Sequence, residues 1–325
     1  MIFLILETKN PYRNLAIEEY LFSHCEDDVF MLWQNEPTVV IGKNQNPYAE
    51  INLEFLRDRG IHVARRITGG GAVYHDLGNV NYTFISGKRD TSSLDFARFT
   101  APITEALASV GITATLTGRN DLAIDGRKFS GNAQHESGGR VLHHGTLLFD
   151  SDLDVLSSVL NVDEEKIRSK GVKSTRSRVT NLRPFLPHGW DVSDFISLIA
   201  DFVKTNFSPE EKEAPEDPLV EELYRKYASQ EWIYPTSGVA AAHTLRKKRR
   251  YPFGTVEVLL DVKGETVREA KIVGDFFGFS DTRELEEALV GARLEDTHER
   301  LSSFDIGRYI SGMTREELEE LILSN

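Results

Sequence analysis

Short apolar runs joined by tight turns constrain this chain most, because strand–helix–strand alternation, the signature of a parallel doubly wound sheet, is missing. The opening residues Met1 to Leu6 read as a first strand. A helix is expected over 14–23, where Leu15, Glu19 and Phe22, with Ala16, Tyr20 and Ser23, recur at helical spacing. Residues 29–33 and 38–41 then read as a hairpin around Asn35-Glu36-Pro37. A helix over 53–59 is stopped by Gly60, and strands over 62–66 and 72–85 follow, the second broken near Gly78. Ile103, Ala106, Leu107 and Val110 mark a helix within 93–110 that Gly111 ends. Asp125-Gly126 suits a type I′ turn between strands 122–124 and 127–130. Residues 141–149 form another strand, and 152–160, 191–205 and 218–227 read as helices. The expected fold class is α+β, a mostly antiparallel sheet carrying helices.

A chain of 325 residues has room for one large domain and a small one. Residues 208–218 are rich in proline and acid and should be exposed; 236–250 are alanine-rich, then basic. After that the pattern restarts, with strands over 255–262 and 267–275 around Lys263-Gly264, a helix over 283–289, and a last helix from Thr314 with Glu317 set for a capping box. The expected boundary lies near residue 245, giving domains 1–245 and 246–325. The net charge of −13 argues against a general nucleic-acid or membrane-surface binder while allowing a local basic pocket. No apolar run approaches the ~20 residues that span a bilayer, and the N-terminal run is too short for a signal peptide. The single cysteine, Cys25, cannot form an internal disulfide, which fits a cytoplasmic protein.

Two stretches carry candidate chemistry. In Arg65-Arg66-Ile67-Thr68-Gly69-Gly70-Gly71-Ala72-Val73-Tyr74-His75-Asp76 two guanidiniums stand beside three glycines. Side-chain-free backbone admits a ligand closely, and arginine grips phosphate or carboxylate bidentately. Neither a Walker loop nor a dinucleotide fingerprint is present, so a structural loop is the competing reading. Strand alternation sends Arg65 and Arg66 to opposite faces, and Arg66, nearer the loop, is the one expected to reach a ligand. In Gly126-Arg127-Lys128-Phe129-Ser130-Gly131-Asn132-Ala133, one lysine sits among small residues, with Asn120-Asp121 upstream to orient it. Asn79 or Asp121 could hold Mg²⁺, directly or through water. His75, His143 and His144 lack zinc-ligand spacing and read as pocket or hydrogen-bonding residues. Lys166, Lys170, Lys173, Arg176 and Arg178 form a basic patch that either contacts an acidic partner or phosphates or is a solvated loop. The run Arg246-Lys247-Lys248-Arg249-Arg250 reads as an exposed interdomain segment.

These two motifs resemble those of the lipoate–protein ligases. So do Asn14-Leu15-Ala16-Ile17-Glu18-Glu19, His143-His144-Gly145-Thr146-Leu147-Leu148, the stretch from Lys170 through Asn181, and Pro252-Phe253-Gly254-Thr255-Val256-Glu257-Val258 with Gly274-Asp275-Phe276-Phe277. The likeness runs in order over nearly the whole chain. It departs after Glu231-Trp232-Ile233-Tyr234, where Pro235 to His243 replace the family's usual glycine-led segment. The resemblance implies a catalytic domain like that of biotin protein ligases and class II synthetases, with a small C-terminal accessory domain. It implies that lipoate and ATP, with Mg²⁺, give lipoyl-AMP. The lipoyl group then passes to a lysine of lipoyl domains of 2-oxoacid dehydrogenases or of the glycine cleavage H protein. It places Arg66, Gly71, Ala72, Val73, Tyr74 and Lys128 at nucleotide-binding positions and Lys128 at the lipoate contact; the reading of the residues themselves adds Asn79, Asp121 and His144 as candidate pocket residues.

Two other readings compete. An ATP-independent acyl transferase would need a cysteine nucleophile, and Cys25 stands before Glu26-Asp27-Asp28, a setting unfavourable to a thiolate. A non-catalytic lipoate sensor or docking protein would not need the lysine and the glycine loop.

Overall fold

The computed structural model describes residues 1–87, 94–160, 178–235 and 243–324. The chain divides into two compact units. One comprises Met1–Val40, Tyr48–Arg65 and Val73–Ile233; the other comprises Ile41–Pro47, Arg66–Ala72 and Tyr234–Asn325.

The first unit is built on an eight-stranded sheet. Its strands are β1 (Ile2–Ile5), β2 (Val29–Trp33), β6 (Asn79–Gly87), β7 (Thr115–Thr117), β8 (Asp121–Ile124), β9 (Arg127–Ser137), β10 (Arg140–Leu148) and β11 (Glu210–Glu211), in the order β11-β1-β2-β6-β10-β9-β8-β7. Pairing is antiparallel throughout except around β1, which runs parallel to β2 and β11. A second, three-stranded sheet takes β3 (Thr38–Ile41) between β4 (His62–Arg65) and β5 (Val73–His75). The expected 29–33/38–41 hairpin does not form, because its two strands belong to different sheets. Both are buried along their whole length, as strands covered on both faces are. The expected strand over 72–85 likewise splits between the two sheets at Gly78, where a Cβ would overlap the Asp150 carbonyl.

Period-two alternation gives the large sheet two unlike faces. Phe30, Leu32, Val80, Tyr82, Phe84, Leu122, Phe129 and Leu147 form one core with helices α1 (Phe96–Ser109) and α2 (Val192–Phe207). Residues of the opposite parity, among them Trp33, Asn81, Thr83, His144 and Thr146, stand on the other face. Over that face lies the helix Pro11–His24, whose Glu18 reaches Thr83 and His144.

In the second unit β12 (Leu245–Tyr251), β13 (Gly254–Lys263) and β14 (Thr266–Gly274) form an antiparallel meander over a separate apolar core. The basic run 246–250 is therefore the edge strand β12, not an exposed interdomain segment. Its charges are matched on both sides of the strand, Arg249 by Glu320 at 3.0 Å and Arg246 by Glu257. Lysine and arginine on an edge also deter pairing with another chain. The expected helix over 283–289 and the Thr314–Glu317 capping box are both present.

Candidate functional site

The hairpin β8–β9 presents Lys128. Its two-residue turn has Asp125 and Gly126 in the left-handed region, at φ 50° and 73°, as a type I′ turn demands. Beyond the turn the register shifts: Ala123 pairs with Lys128, but Leu122 pairs with Ser130. Phe129 is the extra residue of a β-bulge. Without it Lys128 and Ser130 would share a face; with it Lys128 and Gly131 do, while Phe129 enters the core. A Cβ at residue 131 would lie 2.8 Å from Lys128 Nζ, so the glycine leaves the ammonium its place. Lys128 Nζ stands 2.7 Å from Asp121 Oδ1, and both side chains are about one-third exposed, at 37% and 35%. On the strand's other side Thr180 N–H donates to the Lys128 carbonyl at 2.8 Å. The sequence-predicted basic patch thus ends beside the hairpin; Lys166, Lys170, Lys173 and Arg176 lie outside the described residues.

The same sheet face continues as a row of polar side chains. Thr146 Oγ1 accepts from the Gly131 N–H at 3.1 Å. Trp33 Nε1 donates to Thr83 Oγ1, which donates to Glu18 Oε1 at 2.7 Å. His144 Nδ1 donates to the same carboxylate at 2.9 and 3.1 Å. Sequence reading named His144 but missed Glu18, Thr83 and Trp33. The available signal was Glu18 itself, an acid in the expected helix 14–23 with apolar neighbours. A second buried cluster joins Asn14, Asn35, His75, Asn81 and Asn79; Asn79 Nδ2 donates to Asn81 Oδ1 at 2.9 Å, and Asn79 Oδ1 has no partner. Of the two Mg²⁺ candidates, Asp121 offers an accessible carboxylate and Asn79 only a buried amide oxygen. Among the described residues no three His, Cys, Asp or Glu side chains form a metal cage.

The two arginines part as alternation requires. Arg65 is buried and donates to the Trp232 and Ile233 carbonyls at 2.7–3.1 Å. Arg66 turns into its own loop, donating to Thr68 Oγ1 at 2.8 Å and to the Gly69 and Gly71 carbonyls at 2.7 and 2.8 Å. The three glycines differ. A Cβ on Gly69 would overlap the Phe276 carbonyl, and one on Gly70 would meet Phe277 Cε1 at 2.9 Å; a Cβ on Gly71 would meet nothing. Of the three, only Gly71 has an open side. Tyr74 is buried, and burial, reinforced by Asp76 and Asp152, raises its phenol to about 12. Asp76 is itself held up by burial although it accepts from the Gly78 and Asp152 N–H groups.

Residues 10–204 match the family described as the lipoyl protein ligase A/B catalytic domain, and residues 240–322 match the bacterial lipoate protein ligase C-terminus. The chain belongs to the lipoate–protein ligases. It is 40% identical to lipoate-protein ligase LplJ of Bacillus subtilis over 99% of this chain and all of that one. It is 39% identical to lipoate–protein ligase 1 of Staphylococcus aureus over 96% and 97% of the two chains. Among solved structures, Plasmodium falciparum LipL1 in complex with lipoate shares the fold over the full length, with a TM-score of 0.80 at 24% identity, 100% of this chain and 99% of that. Lipoate-protein ligase A bound with ATP aligns at TM-score 0.60 and 27% identity over 71% of this chain and 97% of that. A bi-partite lipoate protein ligase of Thermoplasma acidophilum, described with its E2 lipoyl domain, aligns at 0.62 and 31% over 71% and 95%. The protein is therefore an enzyme, a ligase acting in protein lipoylation, rather than a sensor. Cys25 caps the helix Pro11–His24 with its Sγ directed to the Asp27 carbonyl. No described helix is long and apolar enough to cross a membrane.

Proposed function

We propose that this ligase joins lipoate to AMP and then transfers the lipoyl group to a lysine of an apo acceptor. In the first step a lipoate carboxylate oxygen attacks the α-phosphorus of ATP; a C–O–P anhydride forms and pyrophosphate leaves. In the second, an acceptor ε-amine attacks the carbonyl carbon, an amide forms, AMP leaves and the amine gives up a proton. Both steps concentrate negative charge, first between carboxylate and phosphate, then on the carbonyl oxygen. Lys128 supplies the fixed positive charge for both, bridging carboxylate and phosphoryl oxygen. Asp121 would help hold a Mg²⁺ ion brought in with ATP, and that ion would neutralise charge on the pyrophosphate.

The observation that carries this reading is the Lys128 ammonium itself. A bulge aims it away from the core, Gly131 gives it room and Asp121 orients it. By motif, Arg66, Gly71, Ala72, Val73 and Tyr74 are assigned to the nucleotide and Lys128 to nucleotide and lipoate; Asn79, Asp121 and His144 are additional pocket candidates. Residues 1–245 are assigned to catalysis and 246–325 to an accessory domain. The acceptor class follows the Thermoplasma ligase, described with a lipoyl domain; the H protein of the glycine cleavage system is the alternative acceptor.

Lipoate-dependent exchange of pyrophosphate into ATP tests the first step. Exchange should require lipoate and fall by ~10²–10³ in Lys128→Ala. Exchange that persists in that variant, or none in the intact enzyme, sinks the adenylate route. A protein that makes lipoyl-AMP but never modifies an apo lipoyl domain is an activating enzyme only.

A further inference from the structure

Behind Lys128, on the core side of the sheet, runs a chain of hydrogen bonds that the adenylation chemistry leaves unused. Gln134 donates through Nε2 to His143 Nδ1 at 2.9 Å, so His143 carries its proton on Nε2 and gives it to Tyr82 Oη at 3.2 Å. Burial, with the neighbouring His144, keeps His143 well below its ordinary pKa of 6.5, hence neutral. Tyr82 in turn donates to Asn132 Oδ1. Asn132 Nδ2 donates to the Asn120 carbonyl at 3.0 Å; its backbone N–H donates to that same carbonyl at 2.9 Å, and Asn120 Nδ2 returns a bond to the Asn132 carbonyl at 2.6 Å. Asn120 immediately precedes Asp121, the partner of Lys128.

Tyr82 and Asn132 lie on β6 and β9, two strands apart, roughly 10 Å between backbones. Between them on β10 is Gly145, in register with both. A Cβ there would overlap Asn132 Oδ1 and stand 2.5 Å from Tyr82 Cε1. The absence of a side chain lets the phenol cross a whole strand to reach the amide. From Gln134 through His143 and Tyr82 to the Asn132 amide the side-chain donors point one way, so each of those bonds polarises the next.

We propose that Asn132 is a positioning residue: anchored from the core by Tyr82 and His143, it clamps the start of β8 to β9 and so fixes Asp121 against Lys128. The role rests on Lys128 as the reactive cation. Losing one neutral hydrogen bond is worth ~0.5–1.5 kcal/mol, roughly 2- to 12-fold in rate. Asn132→Ala should lower the kcat of lipoate-dependent exchange by about tenfold, and Tyr82→Phe by roughly threefold, with KM for lipoate held within about twofold. Asn120→Ala cuts the same clamp from its half-exposed end without opening the core, and should lower kcat roughly threefold even if Asn132→Ala does not fold. A general loss of structure would raise KM for lipoate along with lowering kcat, whereas misplacing the ammonium lowers kcat alone. Wild-type kcat in folded Asn120→Ala, or a loss of kcat matched by an equal rise in KM for lipoate, overturns the proposal. Full exchange in Lys128→Ala would instead overturn the reading on which it rests.

Discussion

The glycine loop and the Lys128 hairpin hold the two motifs richest in chemistry, yet they use their small residues for opposite ends. In the loop, Gly69 and Gly70 make room for other protein, the Phe276-Phe277 backbone and ring, and Arg66 braces the loop through the Gly69 and Gly71 carbonyls. In the hairpin, Gly131 makes room for the functional group itself. A glycine-rich segment beside arginines is therefore not by itself a measure of how much backbone a ligand can touch. The neighbours that each missing Cβ would have met decide it.

Substituting those glycines one at a time breaks the comparison or sharpens it. Gly69→Ala should have the largest effect on stability, because its Cβ would overlap the Phe276 carbonyl, a backbone atom that cannot swing aside. A loss of ~1–3 kcal/mol in denaturant unfolding is expected, as for overpacked cores. Unchanged stability would mean that the loop does not pack as described. Gly131→Ala should behave in the opposite way. Its Cβ meets the tip of a flexible lysine 2.8 Å away, so the fold tolerates it and the ammonium moves. Unfolding should stay within about 0.5 kcal/mol of wild type. The exchange rate should fall about tenfold, which is ~1.4 kcal/mol. An active, stable Gly131→Ala would detach Lys128's position from its chemistry.

The buried imidazole beneath the hairpin gives the next smaller effect. Its folded pKa is depressed, so its contribution to stability is complete above the unfolded value of 6.5 and declines as pH falls below it, where the unfolded chain takes up a proton the folded one refuses. Between pH 6.5 and 5.5 the wild type should lose about 1 kcal/mol more than His143→Gln. Parallel stability curves for the two proteins would show that His143 charges in place.

How far the sequence revealed these regions depended on how local their determinants are. Asp125-Gly126 sets its own turn, and the Arg65/Arg66 split follows from alternation, so both were legible. The bulge at Phe129 was not: it is a mismatch between two strands, and it decides which residues share a face with Lys128. The 29–33/38–41 pair looked like a hairpin because turn residues separate them. Their actual partners, β6 for one and β4 and β5 for the other, lie farther along the chain. Residues 246–250 looked like a linker because charge masks the strand pattern; pairing with β13 shows the edge. Glu18 with Thr83 and His144, and Tyr82 with Asn132, went unread because each group meets only through the tertiary fold, one between helix and sheet and the other across a strand.

Gly71→Ala is the mildest change and the most discriminating. No atom lies within 4 Å of the added Cβ, and no positive φ forbids it, so stability should remain within about 0.5 kcal/mol of wild type. Any effect must then come from a ligand pressing on that exposed backbone. If Gly71 faces the nucleotide, KM for ATP should rise severalfold, while KM for lipoate and the unfolding midpoint stay put. One methyl placed against a close-fitting ligand is worth ~1–3 kcal/mol, so the rise should be about 5-fold or more. An ATP KM equal to wild type would mean that the third glycine, like the first two, answers to the fold alone. Recognition of the phosphates would then rest with other residues of the motif.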